Sequence, residues 1–390
     1  MMLALTFSVC FVTGLLSHLI QHPPEWFSWP SRPIWLYRVT QGAHVISGIA
    51  SIPLLLAKLW SVFPKLFGRP VVRSLPHALE RLSILVLSGS AFFELSTGLL
   101  NVAQNYPWGF YFPQVHYAVA WLAIGSILVH IAVKLPVVRR ALTREPAAGP
   151  QSLTAHHEAG AAVASPADAD PESGIPPPDH PSPPAPTLHA DHPDGLSRRG
   201  FLRTTWIATG AAVIATAGAT VPLLRNVSGL SWRTGKGTQG LPVNRTAVAA
   251  GVMQTARDPS WQLSIVTPAG TKKFSLEELR ALPQTTVELP IACVEGWSQS
   301  AVWRGITMPS LLRAAGSRPG VNLQVSSLEK AGIYRVTMLP GEHTGDDDTL
   351  LALELNGEVL DLDHGFPCRI IAPSRPGVLQ TKWVSKLEVR

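Results

Sequence analysis

One cysteine lies in the segment of this sequence that is most suggestive of chemistry. It is Cys293, in the run Leu289-Pro-Ile-Ala-Cys-Val-Glu-Gly-Trp-Ser298, where an apolar stretch typical of a strand gives way to a loop. A thiolate is a soft ligand, and a single thiolate leaves the other coordination positions of a metal to another group. The remaining cysteines, Cys10 and Cys368, are too few for a disulfide framework. A lone cysteine is more often a small buried residue, so the surrounding segments have to decide its role.

Histidines in apolar segments offer a second kind of chemistry. Imidazoles inside a membrane are costly and usually functional, and two of them can ligate one haem iron. His116 and His130 are fourteen residues apart, almost four helical turns, so they share one face about 21 Å apart. We expect His44 to pair with His116 near one leaflet and His77 to pair with His130 near the other. His18 competes with His44, and hydrogen bonding across helices or to lipid headgroups is the alternative role for these side chains.

Four apolar segments, each near the length that crosses a bilayer, position these histidines. They run from Leu3 to Ile20, Val39 to Phe63, Leu82 to Ala103 and Val115 to Val138. We therefore predict an all-α transmembrane four-helix bundle over residues 1–144. This bundle resembles a bacterial membrane cytochrome b, which implies one or two haem b groups.

The basic residues indicate how the bundle is oriented. They cluster between the second and third segments and after the fourth, whereas the loops 22–37 and 105–113 are rich in Trp, Tyr and Phe and poor in Lys and Arg. By the positive-inside rule both ends of the bundle lie in the cytoplasm. We expect a multi-pass protein of the plasma (inner) membrane, in contact with lipid, whose positive charge reports orientation and not nucleic-acid binding.

The middle of the chain predicts a linker and an export signal. Residues 145–196 are rich in Pro and Ala with few large apolar residues, as in a disordered linker. Ser197-Arg-Arg-Gly-Phe-Leu-Arg203 and the following apolar run resemble a twin-arginine signal, so we assign residues 197–225 as signal and fifth membrane helix. A basic flank on an ordinary span is the alternative, and Ala219 could mark a cleavage site. Recognition by the twin-arginine export machinery, which moves folded proteins, would carry everything beyond Leu224 to the outer face.

From Leu241 onward the pattern is that of an α+β domain. Runs rich in β-branched and aromatic residues predict strands, and short amphipathic runs between them predict helices. The predicted strands are Trp261–Val266, Val287–Ile291, Leu323–Ser326, Tyr334–Met338 and Arg369–Ala372. The predicted helices are Leu276–Ala281 and Met308–Ala315.

Several segments of residues 241–390 resemble the sulfite-oxidase family of molybdopterin oxidoreductases. In chain order they are Trp261-Gln-Leu-Ser-Ile, Phe274-Ser-Leu-Glu-Glu-Leu-Arg-Ala-Leu-Pro283, the Cys293 run, Trp303-Arg-Gly-Ile, Leu351-Ala-Leu-Glu-Leu-Asn-Gly-Glu, Asp363-His-Gly-Phe-Pro-Cys-Arg-Ile-Ile-Ala-Pro and Lys382-Trp-Val. The Cys-Val-Glu-Gly-Trp-Ser run is most similar to the bacterial periplasmic methionine-sulfoxide reductase branch. The paired arginine pocket of the sulfite-oxidising members is not found in the sequence.

The resemblance implies roles for particular residues. Cys293 matches the molybdenum ligand, and Cys368 is expected in the core beside the site. The segments that bind the pterin and its phosphate are matched by Asn244, Arg245, His364, Gly365, Arg369 and Lys382. Arg and Lys suit a phosphate through charge-assisted hydrogen bonds, and Gly permits close backbone approach. Arg304 and Tyr334 are expected to face the substrate.

Together these features predict a membrane-anchored molybdenum enzyme. Electrons would pass from quinol through haem b to the molybdopterin site at the outer face, where a small oxide such as a sulfoxide is reduced. One alternative is a sulfite dehydrogenase that runs in the oxidative direction. Another is a non-enzymatic membrane protein with a degenerate pterin fold.

Overall fold

The computed structural model describes residues 2–66, 74–143, 197–231 and 237–390. The predicted linker, 145–196, lies outside these ranges. The N-terminal part consists of long helices: α1 Met2–Gln21, α2 Leu36–Leu66, α3 Leu75–Val102, α4 Phe112–Thr143 and α5 Arg198–Thr216. Four stretches within them are long and apolar enough to cross a membrane, namely Met2–Gln21, Leu36–Pro64, His77–Val102 and Phe112–Leu135. The four predicted spans are therefore confirmed.

Hydroxyl side chains in the bundle are satisfied within the helices. Ser47 Oγ donates to the carbonyl of Ala43 at 2.6 Å and Thr97 Oγ1 to that of Phe93 at 2.7 Å. Ser51 Oγ also reaches across to Thr6 Oγ1 at 2.8 Å, which joins α2 to α1. Such bonds are needed because lipid offers no partner to a polar group. Helix α1 packs mainly on α2, and α3 on α4.

Helix α5 begins within the twin-arginine-like motif and lies against α2. The Ser197 hydroxyl caps it by accepting from the Gly200 N–H at 3.1 Å. Beyond its end, Thr220 reaches the start of α2, because a Cβ on Gly42 would lie 3.6 Å from Thr220 Cγ2. Helix α5 is thus antiparallel to α2. Among the described helices it is not one of those apolar enough to span, so a fifth span stays a prediction, as does cleavage at Ala219.

The C-terminal domain is built on two sheets. Its strands are β1 Gln262–Thr267, β2 Gly270–Ser275, β3 Thr285–Ala292, β4 Ser298–Thr307, β5 Leu323–Ser327, β6 Val336–Leu339, β7 Leu350–Leu355, β8 Glu358–Val359, β9 Arg369–Ile371 and β10 Val384–Val389. The short helices are α6 Ala247–Ala250, α7 Leu276–Ala281, α8 Met308–Ala314 and α9 Gly341–Thr344. One sheet has the order β2-β1-β10-β5-β6, and the other β3-β4-β7-β8 with β9 on β7. Only β1 and β10 pair in parallel among the described strands.

The sequence predictions for this domain agree with some of these elements, and β2, β4, β7, β8, β10, α6 and α9 were not predicted. Strands β1, β3, β5 and β9 and helices α7 and α8 lie where they were predicted. Strand β6 starts later than predicted, because Tyr334 belongs to a 3₁₀ turn over Ile333–Arg335. Cys368 is fully buried in the apolar core with Trp261 and Met308, as expected, and burial in that core raises the pKa of its thiol. A second core around Trp303 lies beneath Cys293.

Candidate functional site

Cys293 lies at the tip of a tight connection between two strands. Strand β3 ends at Ala292 and strand β4 begins at Ser298, and we call residues 293–297 between them the Cys293 loop. The Cys293 N–H donates to the Trp297 carbonyl at 2.9 Å, and the Gly296 N–H donates to the Cys293 carbonyl at 3.0 Å. Gly296 has φ +90°, a value that favours glycine. Cys293 is not part of a disulfide, and its side chain is 1 % exposed.

Residues from several elements surround Cys293. Ala292 forms a bridge with Pro376. Tyr37, Tyr334 and Lys382 are close enough to Cys293 for their charged forms to interact with it. Tyr334 was predicted to face the substrate, and the structure brings it to Cys293. Its hydroxyl donates to Gln21 Oε1 of α1 at 2.8 Å, and burial raises its pKa.

The residues predicted to hold the pterin converge on one another. Arg369 Nη1 donates to the His364 carbonyl at 3.0 Å. Lys382 Nζ donates to the carbonyls of Arg245 at 2.5 Å and Asp363 at 2.9 Å. Gly365 has φ +112°, and a Cβ there would lie 3.1 Å from Cβ of both Arg369 and Lys382, so only glycine fits. Next to Arg245, Asn244 lies at the exposed edge of this group.

Burial makes these basic groups well suited to bind an anion. Burial, with Arg369 nearby, lowers the pKa of Lys382 to about 7. Burial also lowers the pKa of Arg369 to about 9 and that of His364 to about 4. Arg369 Nε and Ser298 Oγ are buried and have no hydrogen-bond partner within the described residues. Buried cations and orphaned donors are stabilised by an anionic ligand, so these residues fit the phosphate and polar edge of molybdopterin.

Arg304 lies far from this group, against the prediction that it faces the substrate. It is six residues along β4 from Ser298, which pairs with Ala292 beside Cys293. At about 3.3 Å per residue this is a separation of about 20 Å. Its guanidinium is half exposed and pairs with Glu354 at 2.9 Å. Side chains alternate across a strand, so Trp303 and not Arg304 enters the core.

In the membrane bundle, His44 and His116 face each other. Their ring centroids are 6.4 Å apart and their planes are inclined at 81°. Two imidazole nitrogens bound to one metal at about 2.0 Å each, plus about 1.1 Å from each nitrogen to its ring centre, give about 6.2 Å. The spacing of the predicted pair would therefore suit two imidazole ligands of one iron.

The second nitrogen of each ring is held by the protein. His44 Nδ1 lies 2.8 Å from the Cys10 carbonyl. His116 Nδ1 lies 3.1 Å from Glu94 Oε2 and 3.3 Å from Thr97 Oγ1. A carbonyl or carboxylate on the far nitrogen fixes a metal-binding imidazole in its ring orientation and tautomer. Both Nε2 atoms are left for a ligand.

A cavity of about 320 Å³ contains this histidine pair. Two glycines leave room for the histidine rings. A Cβ on Gly14 would lie 2.8 Å from His44 Cε1, and one on Gly98 would lie 3.7 Å from His116 Cε1. Val294 of the Cys293 loop also lines this cavity. The histidine pair and the Cys293 loop are therefore direct neighbours.

The other histidines have different surroundings. His18 stacks on Tyr117 with ring centroids 3.6 Å apart, so it does not take the place of His44. His77 and His130 both lie near Glu80, which forms an ion pair with Lys134. The pairing of His77 with His130 on a second haem stays a prediction.

The sequence reasoning missed polar residues at the ends of α2 and α3 that contact the C-terminal domain. Gln41 of α2 and Asn101 of α3 donate to the Val294 carbonyl, and Tyr37 packs against Ala292. The available signal was a set of buried-type polar side chains near the ends of apolar segments. It did not reveal their partner, which lies far along the chain.

Comparison with known proteins places the C-terminal domain. Residues 250–390 match the oxidoreductase molybdopterin-binding domain family. Sulfite oxidase from Arabidopsis thaliana is 27% identical over 151 residues, which cover 30% of this chain and 38% of that protein. A protein from Azospira oryzae, provisionally described as protein-methionine-sulfoxide reductase subunit YedZ1, is 30% identical over 118 residues, covering 30% of this chain and 43% of that one.

The matches cover part of each protein only. This chain spans less than half the length of either of these two relatives. The sulfane dehydrogenase SoxCD from Paracoccus pantotrophus matches with a TM-score of 0.31 at 24% identity, over 34% of this chain and 38% of that one, and this likeness carries no argument. Residues 250–390, in which Cys293, Arg369 and Lys382 converge, therefore form a molybdopterin-binding oxidoreductase domain that is similar to part of sulfite oxidase and is joined here to a bundle of apolar helices.

Proposed function

We propose that this chain is a membrane-bound molybdenum oxidoreductase that takes electrons from quinol through haem b and reduces a small neutral oxide, such as a sulfoxide, at the outer face. One observation carries the proposal. The cavity that holds the His44–His116 pair is also lined by Val294, the residue next to Cys293. Two candidate redox sites that share a wall can exchange electrons over a short distance.

The residues of the chain have distinct tasks in this proposal. Cys293 would hold molybdenum, and Arg369 and Lys382 would hold the pterin phosphate. A molybdenum centre held there would supply a two-electron couple suited to oxygen-atom transfer. Each turnover consumes two electrons and two protons, and the oxygen leaves as water. His44 and His116 would hold a haem iron, which supplies a one-electron couple.

The groups beside Cys293 support a neutral substrate. Tyr37 and Tyr334 place uncharged phenol groups near Cys293, a lining that suits an uncharged substrate. Arg304 is remote, and Arg375 directs Nε to the Leu379 carbonyl at 3.0 Å. An anion such as sulfite needs cations free to bind it, so reduction of an oxide is favoured over sulfite oxidation.

The charge distribution supports an outward-facing domain. Tyr37, at the start of α2, contacts the C-terminal domain. Helix α5 runs antiparallel to α2, so its twin arginines lie at the opposite end of the bundle. Lys134 lies late in α4, about 27 Å from His116 along the axis. By the positive-inside rule the basic end is cytoplasmic.

The proposal is tested by the cofactor content of the full chain purified in detergent. We expect molybdenum and pterin in a one-to-one ratio with protein, together with a reducible haem b spectrum. Cys293→Ser should lose most of the bound molybdenum and all oxide reduction, because a hydroxyl is a poor ligand for a soft site. Cys368→Ser is the matched control and should keep the metal. Wild-type protein without molybdenum, or Cys293→Ser with normal content and activity, would overturn the proposal.

A further inference from the structure

The carbonyl oxygen of Val294 accepts hydrogen bonds from two membrane helices. Gln41 Nε2 of α2 donates at 3.2 Å and Asn101 Nδ2 of α3 at 3.4 Å. Two residues further along the same loop, the Gly296 carbonyl accepts from Thr220 Oγ1 at 2.5 Å. Side chains from three separate parts of the membrane domain therefore hold one short loop, the loop that presents Cys293.

The direction of the Gln41 amide is set by its other partners. Gln41 Oε1 lies 3.4 Å from both Ser17 Oγ and Tyr37 Oη, and each hydroxyl donates to it. Because the oxygen already accepts from two hydroxyls, the NH₂ group must face the Val294 carbonyl. Gln41 is 5 % exposed, so its hydrogen bonds are shielded from water and strengthened by the surrounding low dielectric.

Close packing accompanies these hydrogen bonds. A Cβ on Gly296 would lie 2.9 Å from Val45 Cγ2 and 3.3 Å from Val102 Cγ2. Only glycine lets the loop sit this deeply between α2 and α3. The Cys293 loop is thus seated in the end of the bundle by shape as well as by hydrogen bonding.

The side-chain amides of Gln41 and Asn101 lie close to the two candidate haem ligands. Gln41 precedes His44 by three residues on α2. Asn101 follows Gly98 by three residues on α3, and Gly98 lies against the His116 ring. Three residues correspond to about 4.5 Å along a helix. Val294 lines the histidine cavity and is covalently bonded to Cys293, so it connects both sites.

We propose that Gln41 and Asn101 are positioning residues that fix the Cys293 loop on the histidine cavity, so that electrons pass while the C-terminal domain stays docked. The inference rests on the proposed function for the identity of the two redox groups. In that proposed function quinol would supply the two electrons that each oxide takes up, and a haem held by the histidine pair would pass them on one at a time. Electron tunnelling falls steeply with distance. If the Cys293 loop moved away from the histidine cavity, electrons would therefore reach the Cys293 site more slowly.

The first test measures the position of the loop without any cofactor. The full chain, produced in a host that cannot make molybdopterin, is alkylated with iodoacetamide, and Cys293 is followed by peptide mass spectrometry. We expect Gln41→Leu and Asn101→Leu each to speed alkylation of Cys293 about tenfold, because loss of a buried hydrogen bond favours local opening. Asn105→Leu, at an exposed residue just beyond the end of α3, is the control. Equal alkylation rates of Cys293 in wild type and in all three variants would contradict the proposal that Gln41 and Asn101 hold the Cys293 loop in place.

The second test measures electron transfer in the loaded protein. Haem reduced with a quinol analogue is mixed with methionine sulfoxide, and its reoxidation is followed by stopped-flow absorbance. We expect Gln41→Leu and Asn101→Leu to slow reoxidation at least tenfold at unchanged haem and molybdenum content, and glycerol to leave the wild-type rate unchanged. Normal rates in both variants, or a wild-type rate that falls with viscosity, would overturn the inference. Wild-type protein without haem or molybdenum would overturn the proposed function too, whereas the alkylation test reports on the loop alone.

Discussion

At the scale of single residues, the chemistry depends on what burial does to a few polar groups. Cys293 is a thiol that the fold almost removes from solvent. Lys382 and Arg369 are cations that donate to backbone carbonyls. His44 and His116 each have one nitrogen held and one left over. Each of these groups is costly to bury alone, and in the proposed function each would bind a metal or a phosphate.

The proposed haem ligands can be tested residue by residue. We expect His44→Leu and His116→Leu each to lower the haem content strongly, because each variant would leave a single imidazole to hold the iron. His18→Leu should retain it, since His18 stacks on Tyr117. The measurement is the pyridine haemochrome of each purified variant. Full haem content in either of the first two variants would refute this pair.

Lys382 makes a prediction about pH. Its pKa is lowered by burial from 10.5 in the unfolded chain to about 7 in the folded one. Between these values the unfolded state binds a proton that the folded state has released, so stability rises with pH across this window and the destabilisation is complete below pH 7. The slope from this one group is at most about 1.4 kcal/mol per pH unit.

This prediction is checked on the cofactor-free protein by urea unfolding followed through tryptophan fluorescence. The free energy of unfolding of the C-terminal domain should increase from pH 7 to 9, and Lys382→Met should flatten the rise. A bound phosphate would restore the charge of Lys382 and remove the same slope from the loaded protein. An identical pH profile for wild type and Lys382→Met would show that Lys382 is not the cause.

At the scale of elements, a glycine of α1 leaves room for the His44 ring of α2. A side chain at Gly14 would strike the His44 ring, as its Cβ would lie only 2.8 Å from Cε1. Overpacking costs about 1–3 kcal/mol, so we expect Gly14→Val to weaken haem binding about tenfold. Gly89→Val on α3 is the control, because nothing lies within 4 Å of its Cβ. Haem titration of the two variants gives the comparison, and equal affinities would argue against a ligand in this cavity.

The elements also show how far sequence reasoning extends. Spans and strands such as β1 and β3 were predictable because their hydrophobic pattern is local. Strand β10 was missed because it is defined by pairing with β1 and β5, which lie far back in the chain. The position of Arg304 was misjudged for a related reason, since strand alternation and its distance from Cys293 follow from a register that the sequence does not display.

The candidate site likewise contains some residues that the sequence could reveal and others that it could not. Cys293, Arg369 and Lys382 could be found because their segments resemble a known family, and the His44–His116 pair because both lie at similar depth in apolar segments. The contact of Gln41 with Val294 spans 253 residues of sequence. Nothing local to either residue indicates it, because it results from docking two separately folded parts.

At the scale of the whole molecule, a strap between α1 and α2 adds to this docking. Trp29 Nε1 donates to the Ser374 carbonyl at 2.8 Å. Arg32 pairs with Asp346 at 2.9 Å and Asp348 at 2.5 Å. The arginine is more than half exposed, so its ion pairs are worth about 0–1 kcal/mol each. The buried contacts of Trp29 and of the Cys293 loop should therefore dominate the interface.

The central claim is that the histidine cavity and Cys293 form one electron-transfer unit. It is tested most directly by reducing the haem of the purified chain with a quinol analogue and adding methionine sulfoxide while the haem α-band is recorded. We predict rapid reoxidation in wild type and in Cys368→Ser, with one sulfide formed for every two haem electrons, and a stable reduced band in Cys293→Ser. A haem that stays reduced in wild type, or that is reoxidised equally in Cys293→Ser, would contradict the claim.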